Sequence, residues 1–223
     1  MDHSIAEYFL IIAHHPEKGR FIATDVHLNY GLIGALMLDL MLGKWYTLDG
    51  KLLMLSSQKT STNEIYEDML TQIRKSEKPK KIQRWISKFS NRSRKYKWEI
   101  IASLEKQNIL KIEHKKFLFI PYRLTYLTNQ NFREKILQDL AYKVLSSKKL
   151  NEEEVSILSL VEACKLQKTL SNDKQEQKVI KTELKMLLKG SPIASAIDAT
   201  IKQIQIAIAA SIAASAAAST AAR

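Results

Sequence analysis

Between Arg74 and Lys97 eleven Lys or Arg residues stand against a single acid, Glu77, so this window carries +10 of the chain's net charge of +12. Its densest part is Arg92, Arg94, Lys95 and Lys97, at the start of an amphipathic segment running to Gln107 with Ile100, Ile101 and Leu104 on one helical face. The helix macrodipole disfavours cations at this end, whereas an anion there meets free backbone N–H groups as well as the side chains. The cluster therefore predicts a bound anion held by Arg94 and Lys97 with Arg92 and Lys95, and with Arg84 and Lys81 of the preceding helix as further contacts. The plainer alternative is a solvated basic face with Tyr96 and Trp98 packed inward. A pI near 9.6 fits a polyanionic partner: nucleic acid, an anionic membrane surface or an acidic protein.

No other chemistry competes with this cluster. The sequence has no GxGxxG, GxxxxGK, HExxH or GxSxG motif and no Cys/His metal spacing, and His3, His14, His15, His27 and His114 form no constellation. Neither catalysis, a cofactor nor a metal is expected. His14 and His15 are adjacent and point to different faces, which predicts a turn before Pro16 rather than a shared metal. Asp39 lies in an apolar stretch without a second acid or His nearby, and is expected to be satisfied by an Arg, a Lys or a backbone N–H. The single cysteine, Cys164, gives no disulfide frame and suits a reducing cytoplasm. The apolar run Ile5 to Ala13 has Asp2 and Glu7 beside or within it and no small-residue cleavage pattern, so no export is expected.

The elements that must position the cluster are mostly helical. Tyr30 to Lys44 has eight Leu, Ile or Met residues between Leu32 and Leu42, too short a run to span a bilayer and apolar on every side, which predicts a central buried helix. Asn29 is its expected N-cap, Gly43 its C′ residue, and Gly31 and Gly34 a surface for close helix approach. Ser4 with Glu7 makes a capping box for a first helix to His14, and Arg20 to Ala23 reads as a short strand. Lys44 to Leu48 and Lys51 to Leu55 flank an Asp49-Gly50 hairpin turn. A helix Glu64 to Lys75, capped by Thr62 or Asn63, and one from Lys80 to Phe89 lead to the basic cluster. A second hairpin is expected around Glu113-His114-Lys115, from Ile109 to Ile120. Further helices are read over Phe132 to Ser146, Glu152 to Leu170 and Asp173 to Lys189. After Gly190-Ser191-Pro192 a last helix carries Ile193, Ile197, Ile201, Ile204, Ile208 and Ile212 as a packing seam, and its uncharged Ala/Ser end predicts a docked helix with a frayed tail of about 15 residues rather than a tail anchor. The whole is expected to be one mainly α domain around the central helix, with short β-hairpins. Three helices followed by a hairpin also suit a winged helix-turn-helix that reads nucleic acid with Arg94 to Gln107, although Glu99 and Glu105 would then face phosphates.

Five segments in order along the chain resemble the Golgi phosphoprotein 3 family: EYFLIIAHHPEKGR, YGLIGALMLDLMLGK, RKYKWEIIASLEKQNIL, FLFIPYRLTYLT and SPIASAIDATI. The resemblance implies a mainly helical peripheral membrane protein on a cytoplasmic face, in a family whose eukaryotic members bind phosphatidylinositol 4-phosphate, recruit coat proteins and retain glycosyltransferases. The family's basic pair before the hairpin matches Arg94 and Lys97, while Thr24 and Ile33 replace its Trp and Arg. The family's hairpin for self-association and membrane contact matches Lys111, Ile112, Glu113, His114, Lys115, Lys116, Phe117, Leu118 and on to Pro121. Expected partners are therefore an anionic lipid, a second copy through the hairpin and cytoplasmic tails of membrane proteins, with nucleic acid ranked below them. The family's coat-recruiting basic arm is expected to be missing.

Overall fold

The computed structural model describes residues 3–56, 58–188 and 192–221, with side chains omitted at 192–194 and 219–221. Among them are nine α-helices and two separate two-stranded antiparallel hairpins. The Gly190-Ser191 break, Lys189 and the Ile193 side chain lie outside the described residues.

Helix α1, Ile5–Ala13, starts with the expected capping box: Ser4 Oγ accepts from Glu7 N at 3.2 Å and Glu7 Oε2 accepts from Ser4 N at 2.9 Å. Helix α2, Asp25–Leu42, is the central helix, and it starts a turn earlier than Asn29 because Thr24 caps it. Thr24 Oγ1 accepts from His27 N, and Asp25 sits favourably in the first turn, so Asn29 lies inside the helix. At the other end Gly43 is the cap with φ −70°, and Lys44 takes the left-handed position at φ 60°. Asp39 joins α2 to α1: its two carboxylate oxygens accept the Ile5 and Ala6 N–H groups at 2.8 and 3.1 Å. Burial nevertheless pushes this carboxyl up to about 7.

Both helical glycines of α2 are close-approach points. A Cβ on Gly31 would meet Phe9 Cζ at 2.4 Å and Cys164 Sγ at 2.5 Å, and one on Gly34 would meet Ile204 Cδ1 at 2.1 Å. Helix α2 is thus wrapped by α1, by α7 (Glu152–Ala163) and by α9 (Pro192–Ala221). Ile197, Ile201, Ile204 and Ile208 of α9 are buried as a seam, whereas Ile212 is exposed and the helix runs on to Ala221. Ser195–Ala218 is long and apolar enough to cross a membrane by length and composition, with 28% of its most apolar stretch buried in the protein.

Other boundaries move for local reasons. Arg20 to Ala23 is no strand; only Phe21 makes an isolated bridge, with His14. The first hairpin, β1 (Tyr46–Asp49) with β2 (Leu52–Leu55), pairs Asp49 with Leu52, so its turn is Gly50-Lys51, one residue later than expected. Helix α7 stops at Cys164 because Lys165 turns left-handed at φ 58°, and a separate 3-10 turn follows at Gln167–Thr169. Helices α3 (Glu64–Arg74, capped by Asn63), α4 (Ile82–Ser90), α6 (Gln130–Leu145) and α8 (Lys174–Leu187) lie near their expected places. Helix α8 buries Ile180 and Leu184 and leaves Val179 exposed. Arg133 of α6 is buried, and its guanidinium donates to the Ile12 carbonyl at the end of α1.

Candidate functional site: a cationic cleft beside an apolar hairpin tip

Helix α5, Ser93–Lys106, begins with Arg92 as an N-cap that makes no side-chain capping bond, and no acid lies in its first turn. The four cations then divide. Arg92 donates to both carboxylate oxygens of Asp68 at 2.7 Å, and Asp68 also accepts the buried Tyr96 hydroxyl at 2.5 Å. Burial works against the Asp68 charge, but these bonds hold its carboxyl below the usual range and raise Arg92. Arg92 therefore fastens α5 to α3. Lys95 lies 3.6 Å from Glu99 one turn on, an exposed and weak pair. Arg94 and Lys97 have no acid in ion-pair contact among the described residues, and both face one cleft.

That cleft has a volume of about 660 Å³ between α5 and the second hairpin. The hairpin is much longer than expected: β3, Leu110–Phe117, pairs with β4, Ile120–Leu127, from Leu110↔Leu127 to Phe117↔Ile120. Its turn is Leu118-Phe119, not Glu113-His114-Lys115, because both residues adopt positive φ, 45° and 71°. This correction puts His114, Lys115 and Lys116 inside a strand that faces Arg94 and Lys97 across the cleft. Arg123, Tyr122 and Pro121 of β4 and Trp98 of α5 complete the wall. None of these four was among the expected ligand contacts; moving the turn to the Leu118-Phe119 pair brings Arg123 opposite His114. Trp98 is half-buried and carries the Arg123 guanidinium 3.7 Å from its ring centroid. Arg84 and Lys81 do not line the cleft; Lys81 caps α4 and bridges to Leu52 of the other hairpin.

Burial lowers the Lys97 pKa, Asp25 at the start of α2 opposes that shift, and Arg94 adds to it. An incoming anion would remove this unfavourable proximity of Arg94 and Lys97. Lys115 and Lys111 share Glu113 at 3.1 and 3.3 Å, which raises Lys115 and lowers Glu113. Lys116 and Arg123 have no such acid among the described residues.

The hairpin is anchored at its base and exposed at its end. Leu110 and Leu127 are in the core, Ile112 packs against it, and the Ile112 N–H donates to Glu105 at 2.8 Å. His14 Nε2 lies 2.7 Å from the Thr125 carbonyl and 3.0 Å from its hydroxyl. Of the expected hairpin contacts, Lys111, Ile112 and Glu113 thus belong to this base. At the tip Phe117, Leu118, Phe119 and Ile120 are all exposed, Phe119 by 99%. The tip starts one residue pair beyond Lys116↔Pro121, so apolar tip and cationic cleft are contiguous.

The hollow at the start of α1 and α3 differs in sign. It has a volume of about 380 Å³, is lined by Glu7, Glu64 and Glu99 and would repel an anion. Ile33 is fully buried and lines neither the cleft nor the acidic hollow. Among the described residues no group of three His, Cys, Asp or Glu side chains is placed to hold a metal.

The fold and the cleft together define a mainly helical protein that presents a cationic hollow and an apolar loop on one projecting hairpin. The chain belongs to the Golgi phosphoprotein 3 (GPP34) family, whose model matches residues 5–204. That family is not a known enzyme family. Among curated proteins no match to the chain is found.

Proposed function

We propose that the protein is a non-catalytic peripheral membrane protein that seats an anionic phospholipid headgroup between α5 and the β3–β4 hairpin. The headgroup is phosphatidylinositol 4-phosphate-like by family resemblance, and the protein sits on the cytoplasmic face of its membrane. The observation that carries this reading is the contiguity of Arg94, Lys97 and Lys116 with the exposed tip Phe117 to Ile120. A bilayer offers both complements at once: anionic headgroups for the cations, each worth about 1 kcal/mol near such a surface, and hydrocarbon for the tip. Four large apolar side chains in water have no other evident use on a monomer. A second copy meeting the tip, and cytoplasmic tails of membrane proteins held near the bilayer, are further partners in this reading.

The test is sedimentation with anionic against neutral liposomes. The protein should pellet with the anionic ones alone, less so as salt rises, and Arg94→Glu with Lys97→Glu should abolish pelleting at unchanged thermal stability. Equal pelleting of the double variant would refute the cleft. The nucleic-acid reading is served by the same helix and hairpin order, and predicts instead a steeply salt-dependent affinity for duplex DNA with sequence preference. Glu99 beside Lys95, and Glu105 turned to the Ile112 N–H, break the cationic run along α5 and favour the lipid.

A further inference from the structure

Arg123 differs from most of the cations around it. Arg92 is held by Asp68, Lys95 by Glu99 and Lys115 by Glu113. Arg123 makes no hydrogen bond or ion pair among the described residues, yet it is not loose: its guanidinium carbon lies 3.7 Å from the Trp98 ring centroid. Stacking occupies the face of a planar guanidinium and leaves its edge, where the N–H donors are, unspent. Trp98 is four residues after Arg94 on α5, so both present to the same side of the helix. Arg94, Trp98 and Arg123 line both the 660 Å³ cleft and a second, shallower hollow of about 630 Å³ that adjoins it. Two guanidiniums and Lys97 thus bound one hollow, one of them fixed in orientation before any ligand arrives.

We infer that Arg123, held flat on Trp98, is the specificity-determining residue that makes this site prefer a terminal phosphate ester over a phosphodiester headgroup. This rests on the lipid reading above. A phosphomonoester carries nearly two charges near neutral pH and three terminal oxygens. Arg94 and Lys97 meet two of those oxygens, all that a phosphodiester offers, and the edge of Arg123 meets the third with the second charge. A phosphodiester presents one charge and two free oxygens, and leaves one of these cations desolvated without a partner. Lysine at position 123 would keep the charge but neither the stack nor the two parallel donors.

The experiment uses the full chain with vesicles of phosphatidic acid or phosphatidylglycerol, each in phosphatidylcholine and matched for surface charge. The unsubstituted protein should bind the phosphatidic acid vesicles about tenfold more tightly, the ratio expected from one extra charged hydrogen bond. Arg123→Gln should bring the ratio close to one while weakening phosphatidylglycerol binding by no more than about fivefold, the loss of one cation at an anionic surface. Trp98→Leu, which keeps Arg123 but removes its platform, should reduce the ratio as well, and Arg123→Lys should not restore it. An unchanged ratio in Arg123→Gln, or full restoration by Arg123→Lys, overturns the inference while leaving the lipid reading intact. Failure of the unsubstituted protein to bind either anionic vesicle overturns the lipid reading itself. Soluble glycerol 3-phosphate separates the two sources of a phosphate ester. No displacement from vesicles at equal phosphate concentration is expected of a membrane headgroup, and displacement would overturn the lipid source.

Discussion

The two hairpins solve the same backbone problem with opposite residues. In β1–β2 the turn uses Gly50 at φ 58°, where glycine is free of the penalty that other residues meet, and Tyr46 and Leu53 bury the sheet against the helices. The Tyr46 hydroxyl donates to the Met37 carbonyl at 2.9 Å, locking this hairpin to α2. In β3–β4 two central residues have positive φ, the pattern of a type I′ turn that favours Asn-Gly, yet the residues are Leu118 and Phe119. Each holds a left-handed conformation at a cost of about 1 to 2 kcal/mol and exposes a large apolar side chain to water. Turn chemistry and solubility both argue against these residues. In β1–β2 the residues serve the fold; at the tip of β3–β4 they serve the membrane contact proposed above.

The strongest way to break this contrast is to give the second turn the residues its backbone wants. Leu118→Asn with Phe119→Gly should stabilise the protein by about 1 kcal/mol or more, seen as a higher denaturation midpoint. The same change should weaken binding to anionic vesicles by at least about a hundredfold, since two apolar side chains at about 1.5 to 3 kcal/mol each no longer enter hydrocarbon. Opposite signs for stability and binding identify a residue pair kept for function. A lower midpoint with unchanged vesicle binding would make the tip a structural turn like the first.

Much of the helical frame was legible because its signals are local. The capping box at Ser4 and Glu7, the Asn63 cap and the apolar faces of α3, α4 and α5 lie within a few residues of what they determine. The cation cluster was legible for the same reason, but its division was not. Asp68 lies 24 residues from Arg92, and nothing local shows that this carboxylate pairs with it. Arg123 was hidden by a conflict of signals: the polar Glu113-His114-Lys115 looks like a turn, and the true turn is apolar. A rule that places turns at polar residues fails where the turn is apolar, and the strand register carrying Arg123 is lost with it. The Thr24 cap was overlooked since the dense apolar run of α2 begins at Leu32, while in its first turns buried His27 and Leu28 alternate with polar Asp25 and Asn29.

A smaller effect sharpens the other side of the comparison. A Cβ added at Gly50 meets nothing within 4 Å, so Gly50→Ala carries only the backbone penalty of its φ, about 1 kcal/mol, measured as a lower denaturation midpoint. Vesicle binding should stay unchanged, because this hairpin supplies no residue to the cleft. A loss of binding there would mean that β1–β2 also touches the membrane, through the partly exposed Leu52 and Met54.

The weakest expected effect concerns pH and the base of the second hairpin, where the contrast is one of anchoring. His14 joins α1 to β4, with Nδ1 2.7 Å from the His15 carbonyl and Nε2 at the Thr125 carbonyl and hydroxyl. Two carbonyls at that distance favour the imidazolium, whereas burial and the nearby Arg133 and His15 disfavour it; burial is the largest influence and the His14 pKa is lowered. We take the lowered direction because burial outweighs the two carbonyls, and the neutral ring then donates to only one of them. A histidine whose folded pKa lies below its unfolded value near 6.5 contributes stability above that value, and loses it as pH falls. Asp39 runs the other way: with its pKa raised to about 7, its contribution is present at low pH and is lost as pH rises through 7. Acidification from pH 7 to 5 should therefore speed amide exchange around Thr125 and Leu127 while protection at the start of α1, where Asp39 binds, holds or increases. His14→Asn, which cannot become a cation, should abolish the pH dependence at the hairpin base alone. Equal slowing at both places would show that the imidazolium is the favoured form, and that acid tightens the base of the projecting hairpin.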